Sequence, residues 1–189
     1  VSYYDYYQPE AYIPAAGKYI EKDAQINDDI ERMRLSATHS LLTRNDVIIV
    51  ASVSCIYGLG TAEAYLKMRA SVKVGDILDR NAFLKQLARI QYTRTPYDLE
   101  RATFRVDIVE VFPAYESERA FRISFFGDEV ESIEEIDPLR GSVYAQVDKL
   151  SVFPASHYVA TDAMRQQALM TIKAELVERM EQFRIEEKF

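Results

Sequence analysis

Apolar and polar positions alternate in three different rhythms along the chain. Residues 2 to 22 interleave aromatic and polar side chains, with Pro9, Pro14 and Gly17 as punctuation, and read as two extended arms. Two prolines and a long connection argue against a two-residue turn, so the arms predict a long, protruding hairpin. Asn27 then caps a predicted helix whose apolar positions Ile30, Met33, Ala37 and Leu41 recur at helical spacing. Asp28 and Asp29 fall in its first turn, where the helix dipole favours negative charge. Asp46 opens the continuous apolar run Val47 to Val53, which suits a central strand of a parallel sheet covered on both faces. Gly58 and Gly60 end that run.

Beyond Gly60 the texture changes. Residues 62–68 and 81–92 predict helices, the second amphipathic through Phe83, Leu84, Leu87 and Ile90. Strands are predicted at 102–106, 107–112, 120–126, 129–136 and about 143–153. Within them Phe121, Ile123 and Phe125 point one way and Arg122 and Ser124 the other. Phe104 and Val106 likewise face a core while Thr103 and Arg105 face out. Two arginines therefore project from the solvent side of one small antiparallel sheet, with Arg94 just ahead of it. Exposed arginine is commonly solvated surface, and it is also well suited to pairing with carboxylates at a protein interface. A long helix over about 161–187 closes the pattern. Its Leu169, Ile172, Leu176 and Met180 form a narrow stripe that either connects domains or packs on the sheet, and Glu175 and Arg179 can pair on the other side.

Composition narrows the chemistry. A formal charge of −7 and a pI near 5.0 argue against capture of DNA by bulk electrostatics, which needs clustered cations. Any nucleic-acid contact must be local and aromatic. Tyr3, Tyr4, Tyr6, Tyr7 and Tyr12 fall within ten positions, followed by Tyr19. Neighbours on an extended arm point to opposite faces, so five rings cannot enter one core. They either pack a hairpin on its own domain or stand exposed, suited to stacking on bases.

Cys55 is the sole cysteine and permits no disulfide within the chain, which fits a reducing cytoplasm; its apolar neighbours suggest a buried, inert thiol. His39 and His157 lack metal-ligand spacing. The carboxylates Glu131, Glu134, Glu135 and Asp137 read as a solvated strand and turn. Gly58-Leu59-Gly60-Thr61 is too short for a phosphate loop and has no lysine, so the chain by itself is expected to catalyse nothing. No apolar stretch reaches the ~18 residues of a membrane span. An extended aromatic segment directly at Val1 reads as the interior of a longer polypeptide.

The residue order carries a more specific signal. Ser2-Tyr3-Tyr4-Asp5-Tyr6-Tyr7-Gln8-Pro9-Glu10-Ala11-Tyr12, Tyr19-Ile20-Glu21-Lys22-Asp23, and Val50-Ala51-Ser52-Val53-Ser54-Cys55-Ile56-Tyr57-Gly58-Leu59-Gly60 resemble the UvrB family, the damage-verifying subunits of the bacterial UvrABC excinuclease. So do Arg34 to Thr38, Ile90 to Arg94, Thr103 to Val106, Phe112 to Ala114, Phe125 to Glu131 and Phe153 to Val159. The resemblance runs from end to end, in order.

It implies an α+β fold: part of a helicase-type α/β domain with a protruding β-hairpin (residues 1–66), then a small inserted domain with an antiparallel sheet and flanking helices (67–160), then a connecting helix (161–189). It implies a cytoplasmic parent that is a helicase-type ATPase using ATP and Mg, with its phosphate loop before Val1; no cofactor belongs to this segment. The parent would take damaged DNA from UvrA, verify the lesion and recruit the UvrC nuclease. In the family the hairpin passes between the DNA strands, which assigns Tyr3, Tyr4, Tyr6, Tyr7, Tyr12 and Tyr19 to DNA. Arg94, Arg105 and Arg122 match positions implicated in UvrA contact. A UvrB-like module of a transcription-repair coupling factor would share the insert but is not expected to carry the tyrosines; an interaction module with no DNA role is the other alternative. Two departures stand out. The family's Arg-Gly pair after Arg105-Val106 is missing, so either the turn is rebuilt or two residues are absent between Val106 and Asp107. Ser124 stands where the family often has Glu, which weakens one expected ion pair.

Overall fold

The computed structural model describes residues 4–51 and 62–186, with Tyr4 and Asp5 described by backbone alone. It begins with the hairpin. Strands β1 (Tyr4–Gln8) and β2 (Ala11–Ile13) form one arm; β3 (Lys18–Ile20) and β4 (Asp23–Ile26) return antiparallel to them. A single 3-10 turn, Pro14–Ala16, makes the tip. Gly17 closes it at φ 58°, in the left-handed region that glycine enters without a Cβ penalty. Helix α1 (Asp28–Thr43) follows at once, and the Asn27 side chain accepts the Ile30 N–H at 2.8 Å as its cap.

The buried face of α1 is not the predicted one. Met33 and Leu41 are exposed, whereas Leu35 is fully buried and Leu42 packs beside the main core. The expected stripe followed a spacing that α1 shares with a second stripe one step around the helix. Further contacts on this side bind α1 to the rest of the molecule. Thr38 Oγ1 lies 2.8 Å from His157 Nε2, and the His39 ring stacks on Tyr115 with centroids 4.1 Å apart.

Residues 47–51 form no strand. Ile48 and Val50 are 93% and 96% exposed, against the expectation of a central strand covered on both faces. An apolar run becomes a strand only when neighbours pair with its backbone, and no described segment does so. The end of that predicted strand, with Cys55, Gly58 and Gly60, lies outside the described residues.

The remaining elements are α2 (Ala62–Lys67), β5 (Ala70–Lys73), α3 (Arg80–Arg89), β6 (Thr93–Arg94), β7 (Thr103–Arg105), β8 (Val109–Phe112), β9 (Ala120–Phe126), β10 (Glu129–Ile136), β11 (Val143–Gln146), β12 (Lys149–Val152) and α4 (Asp162–Ile185). Six of these strands make one sheet in the order β11-β10-β9-β8-β7-β6, antiparallel except for the β6–β7 edge pair. The expected strand over 143–153 is two strands: β11 extends the large sheet, and β12 pairs with β5 in a separate ribbon. Phe83 and Leu87 of α3 pack with Phe104, Val111, Ile123, Val130, Ile133, Val152 and Phe153 into the main core. A smaller cluster of Leu99, Phe112, Ala120 and Ile136 lies apart from it.

The turn between β7 and β8 is rebuilt without the family's Arg-Gly pair. Val106, Asp107 and Ile108 carry the chain around while Arg105 pairs directly with Glu110. None of the three has a positive φ, so this turn does not need a glycine. Helix α4 has no buried residue, so it does not pack on the sheet. Its Arg179 bonds Gln182 and lies over the Phe183 ring, replacing the expected pair with Glu175.

Candidate nucleic-acid and partner interfaces

The hairpin presents its tyrosines to solvent. Tyr6, Tyr7, Tyr12 and Tyr19 are between 47% and 61% exposed, which excludes the reading in which they pack a core. Tyr12 lies directly opposite Tyr19 across the arms. Tyr4 is placed by its backbone opposite Ile26, with a bulge before Tyr6, and Tyr3 lies outside the described residues. The hydroxyls are anchored locally: Tyr6 donates to Gln8 Oε1 at 2.7 Å and Tyr19 to Glu10 Oε2 at 2.8 Å. The bond to the Glu10 carboxylate pushes the Tyr19 hydroxyl above its ordinary range. Lys22 Nζ lies 5.8 Å from the Tyr7 ring centroid, within reach of its π-face. The rings of Tyr6, Tyr12 and Tyr19 are amphipathic and exposed, while that of Tyr7 already carries Lys22.

The second surface is the outward face of the large sheet. Register places Arg105, Glu110, Arg122, Glu134 and Gln146 side by side on five successive strands. Arg105 Nη1 donates to Glu110 Oε2 at 3.1 Å, and Arg122 Nε donates to Glu110 Oε1 at 2.9 Å. Arg122 also reaches Glu134 at 3.5 Å and the Gly141 carbonyl at 3.4 Å. Arg105 Nε donates to the Tyr97 carbonyl at 2.8 Å. Glu110 is only 3% exposed, a buried carboxylate serving two half-buried guanidiniums. The two arginines expected to project into solvent are therefore already engaged. Alternation along one strand reports the face a side chain takes and says nothing about what stands opposite.

Arg94 differs. It lies on the edge strand β6, exposed, and its side chain makes no ion pair among the described residues. Arg94 and Arg105 flank an open concavity of about 590 Å³, completed by Tyr97, Asp98 and the 106–108 turn. Arg122 does not line it. Glu110 is the residue that sequence reasoning missed. Its signal was a charge in the otherwise apolar run Val109-Glu110-Val111-Phe112, all four residues of which are buried. The carboxylates after it are also less solvated than expected: Glu134 meets Arg122, and Glu135 meets Arg119 at 3.0 Å. The backbone N–H groups of Arg140 and Leu139 hold the Asp137 carboxyl below its usual range. Among the described residues no helix is long and apolar enough to cross a membrane.

Comparison with known proteins matches both surfaces at once. Residues 70–158 match the model of the UvrB interaction domain. The UvrABC system protein B of Syntrophotalea carbinolica is 59% identical over 186 residues, covering 97% of this chain and 28% of that protein. The proteins of the same name from Oleidesulfovibrio alaskensis and Geobacillus kaustophilus are 54% and 52% identical, over 97% and 100% of this chain and 27% and 29% of theirs. The chain thus spans little more than a quarter of the length of these relatives. Over that stretch, hairpin and sheet included, the chain belongs to the UvrB family.

Proposed function

We propose that this chain is the working segment of a UvrB-type nucleotide excision repair protein that contacts damaged DNA with its hairpin and UvrA with its inserted domain. In this reading residues 1–66 form part of the first helicase domain and its hairpin, 67–160 the UvrA-binding domain, and 161–189 a connection to the next helicase subdomain. ATP, Mg and recruitment of UvrC belong to the rest of the protein. The chain holds no G-x-x-x-x-G-K-[ST] loop, so no nucleotide step is assigned to its residues.

One observation carries the reading: the four hairpin tyrosines whose side chains are described, Tyr6, Tyr7, Tyr12 and Tyr19, are exposed on a two-stranded hairpin. Base stacking on an aromatic ring contributes ~1–3 kcal/mol per base and tolerates any sequence, which suits inspection of arbitrary damaged sites. Tyr3, Tyr4, Tyr6, Tyr7, Tyr12 and Tyr19 are the residues assigned to DNA. An overall acidic chain then depends on UvrA for loading, since bulk attraction to phosphate is absent. For UvrA, Arg94 offers a guanidinium with no ion pair among the described residues, and Glu110 holds Arg105 and Arg122 in fixed orientation on the same sheet. Charge-assisted, forked hydrogen bonds to carboxylates of the partner are the mechanism.

The test uses the full-length protein. Tyr7→Ala is expected to weaken damage-specific loading in a gel-shift assay with UvrA; unchanged discrimination between damaged and undamaged duplex would refute the DNA assignment. Arg94→Glu is expected to abolish pull-down by UvrA with an unaltered circular dichroism spectrum. Retained pull-down would remove Arg94 from the interface.

A further inference from the structure

The ribbon of β5 and β12 sets two lysines against each other. Its register pairs Ala70 with Val152, Ser71 with Ser151, Val72 with Leu150 and Lys73 with Lys149. Side chains alternate along each strand, and directly opposed residues share a face. One face, Ala70, Val72, Leu150 and Val152, is buried in the main core. Ser71, Lys73, Lys149 and Ser151 therefore stand together on the other. Like charges directly opposite, with Cβ atoms about 4.5–5.5 Å apart, destabilise a strand pair. On the large sheet the outward cations meet carboxylates, as Arg122 meets Glu110 and Arg119 meets Glu135. Neither lysine of the ribbon makes an ion pair among the described residues, although the chain holds 30 acidic residues against 23 basic ones. Of the nearest acids in sequence, Asp76 accepts the Lys73 backbone N–H at 2.8 Å, and Asp148 makes no ion pair with Lys149. Residues 67–75, which lead into and through β5, carry Lys67, Arg69 and Lys73 and no acid. The local charge is thus opposite in sign to the −7 of the whole chain. The two serines add a donor. Ser71 Oγ lies 3.1 Å from Ser151 Oγ; each hydroxyl has one hydrogen, so their mutual bond uses one and leaves the other for an outside acceptor. Tyr115 Oη fixes the strand from behind by donating to the Ser151 carbonyl at 3.1 Å.

We infer that the exposed face of this ribbon binds a phosphate group, with the Lys73 and Lys149 ammonium groups on its charged oxygens and a hydroxyl of Ser71 or Ser151 donating to another. Compact ammonium charges and a hydroxyl suit a tetrahedral anion, whereas planar carboxylates are matched by the forked guanidiniums of the large sheet. An anion between the lysines turns their mutual repulsion into two attractions. The same chemistry is offered by a phosphodiester of a nucleic-acid strand and by a free phosphate. The site uses none of the hairpin tyrosines and none of the arginines assigned to UvrA, so it stands or falls apart from the proposed function.

The experiment reads the acylation rate of each lysine by mass spectrometry after a short pulse of an amine-reactive ester on the full-length protein. Inorganic phosphate, a single-stranded oligonucleotide and potassium chloride are compared at matched ionic strength. Phosphate is expected to slow labelling of Lys73 and Lys149 by the factor 1 + [L]/Kd, roughly threefold at twice the Kd. Lys85 and Lys173, exposed and outside the ribbon, should keep their rates. In K73A the protection of Lys149 should be lost, because one ammonium lacks its partner. Protection by the oligonucleotide at concentrations where inorganic phosphate has no effect supports the site and assigns it to nucleic acid. Protection by inorganic phosphate alone supports the site and assigns it to a free phosphate. Equal rates in phosphate, oligonucleotide and chloride overturn the inference. Uniform slowing by phosphate that includes Lys85 and Lys173 is screening and also overturns it, as does undiminished protection of Lys149 in K73A.

Discussion

A single carboxylate organises the outward face of the large sheet. Glu110 sits between Arg105 and Arg122 and gives one oxygen to each, so its burial is matched by two charge-assisted bonds. Removing one member of a buried pair costs about 3–5 kcal/mol when the remaining charge stays desolvated. Here both arginines are half-buried and can turn toward water, which places Glu110→Ala near the lower end. Urea unfolding should therefore show a destabilisation of about 3 kcal/mol for Glu110→Ala, while Arg94→Glu, on the exposed edge, leaves the midpoint nearly unchanged. Equal midpoints for Glu110→Ala and the parent would mean the charge row contributes no stability. The arginines were legible in the sequence as outward residues, but their shared counter-ion was not. It belongs to the neighbouring strand, and pairing across strands depends on a register that single-strand alternation does not contain.

Among the elements, those with local causes were the readable ones. The hairpin follows from alternating aromatics with Pro14 and Gly17 at the tip, and the cap of α1 from Asn27. Strands β9 and β10 were legible to the residue, β9 through the alternation of Phe121, Ile123 and Phe125, whereas in β10 a register shift between Val130 and Ser132 is what brings both Val130 and Ile133 into the core. Differences arose where the neighbour decides. The face of α1 was misread because the stripe through Leu35 and Leu42 also carries Glu31, Thr38 and His39 and is less apolar than the one through Met33; docking beside Tyr115 and His157 selects it. The run from Val47 lacks a pairing partner among the described residues and forms no ladder there. The short alternation Ala70-Ser71-Val72-Lys73 is too brief to announce a strand; four residues become β5 only because β12 pairs with them.

At the scale of the whole molecule, the two histidines couple α1 to the residues around Tyr115 and Phe153 and make that junction sensitive to acid. His39 stacks on Tyr115 and stands edge-on to Phe153, while His157 bonds Thr38 and lies 6.0 Å from the Tyr65 ring. Burial holds both imidazoles below their ordinary value of 6.5, and the Arg34 charge adds to the effect at His157. The unfolded chain therefore binds protons first as pH falls. Stability should be fully present above about pH 6.5 and decline below it, until the folded histidines themselves protonate. Glu116, raised by burial, acts in the opposite sense at lower pH. The histidine share is accordingly read as the difference between the parent and H39Q/H157Q in thermal unfolding from pH 8 to 5. A double variant with the same pH dependence as the parent would exclude these groups.

By itself the sequence determined most of the extended and helical segments, the face each side chain takes along the regular strands, and, through the order of its motifs, the family. Those properties depend on neighbours one to four residues away. Tertiary structure alone decided that the hairpin tyrosines stand in solvent and that Glu110 joins two outward arginines. Each of these results from residues far apart in the chain being brought side by side, and burial and charge pairing are properties of that juxtaposition.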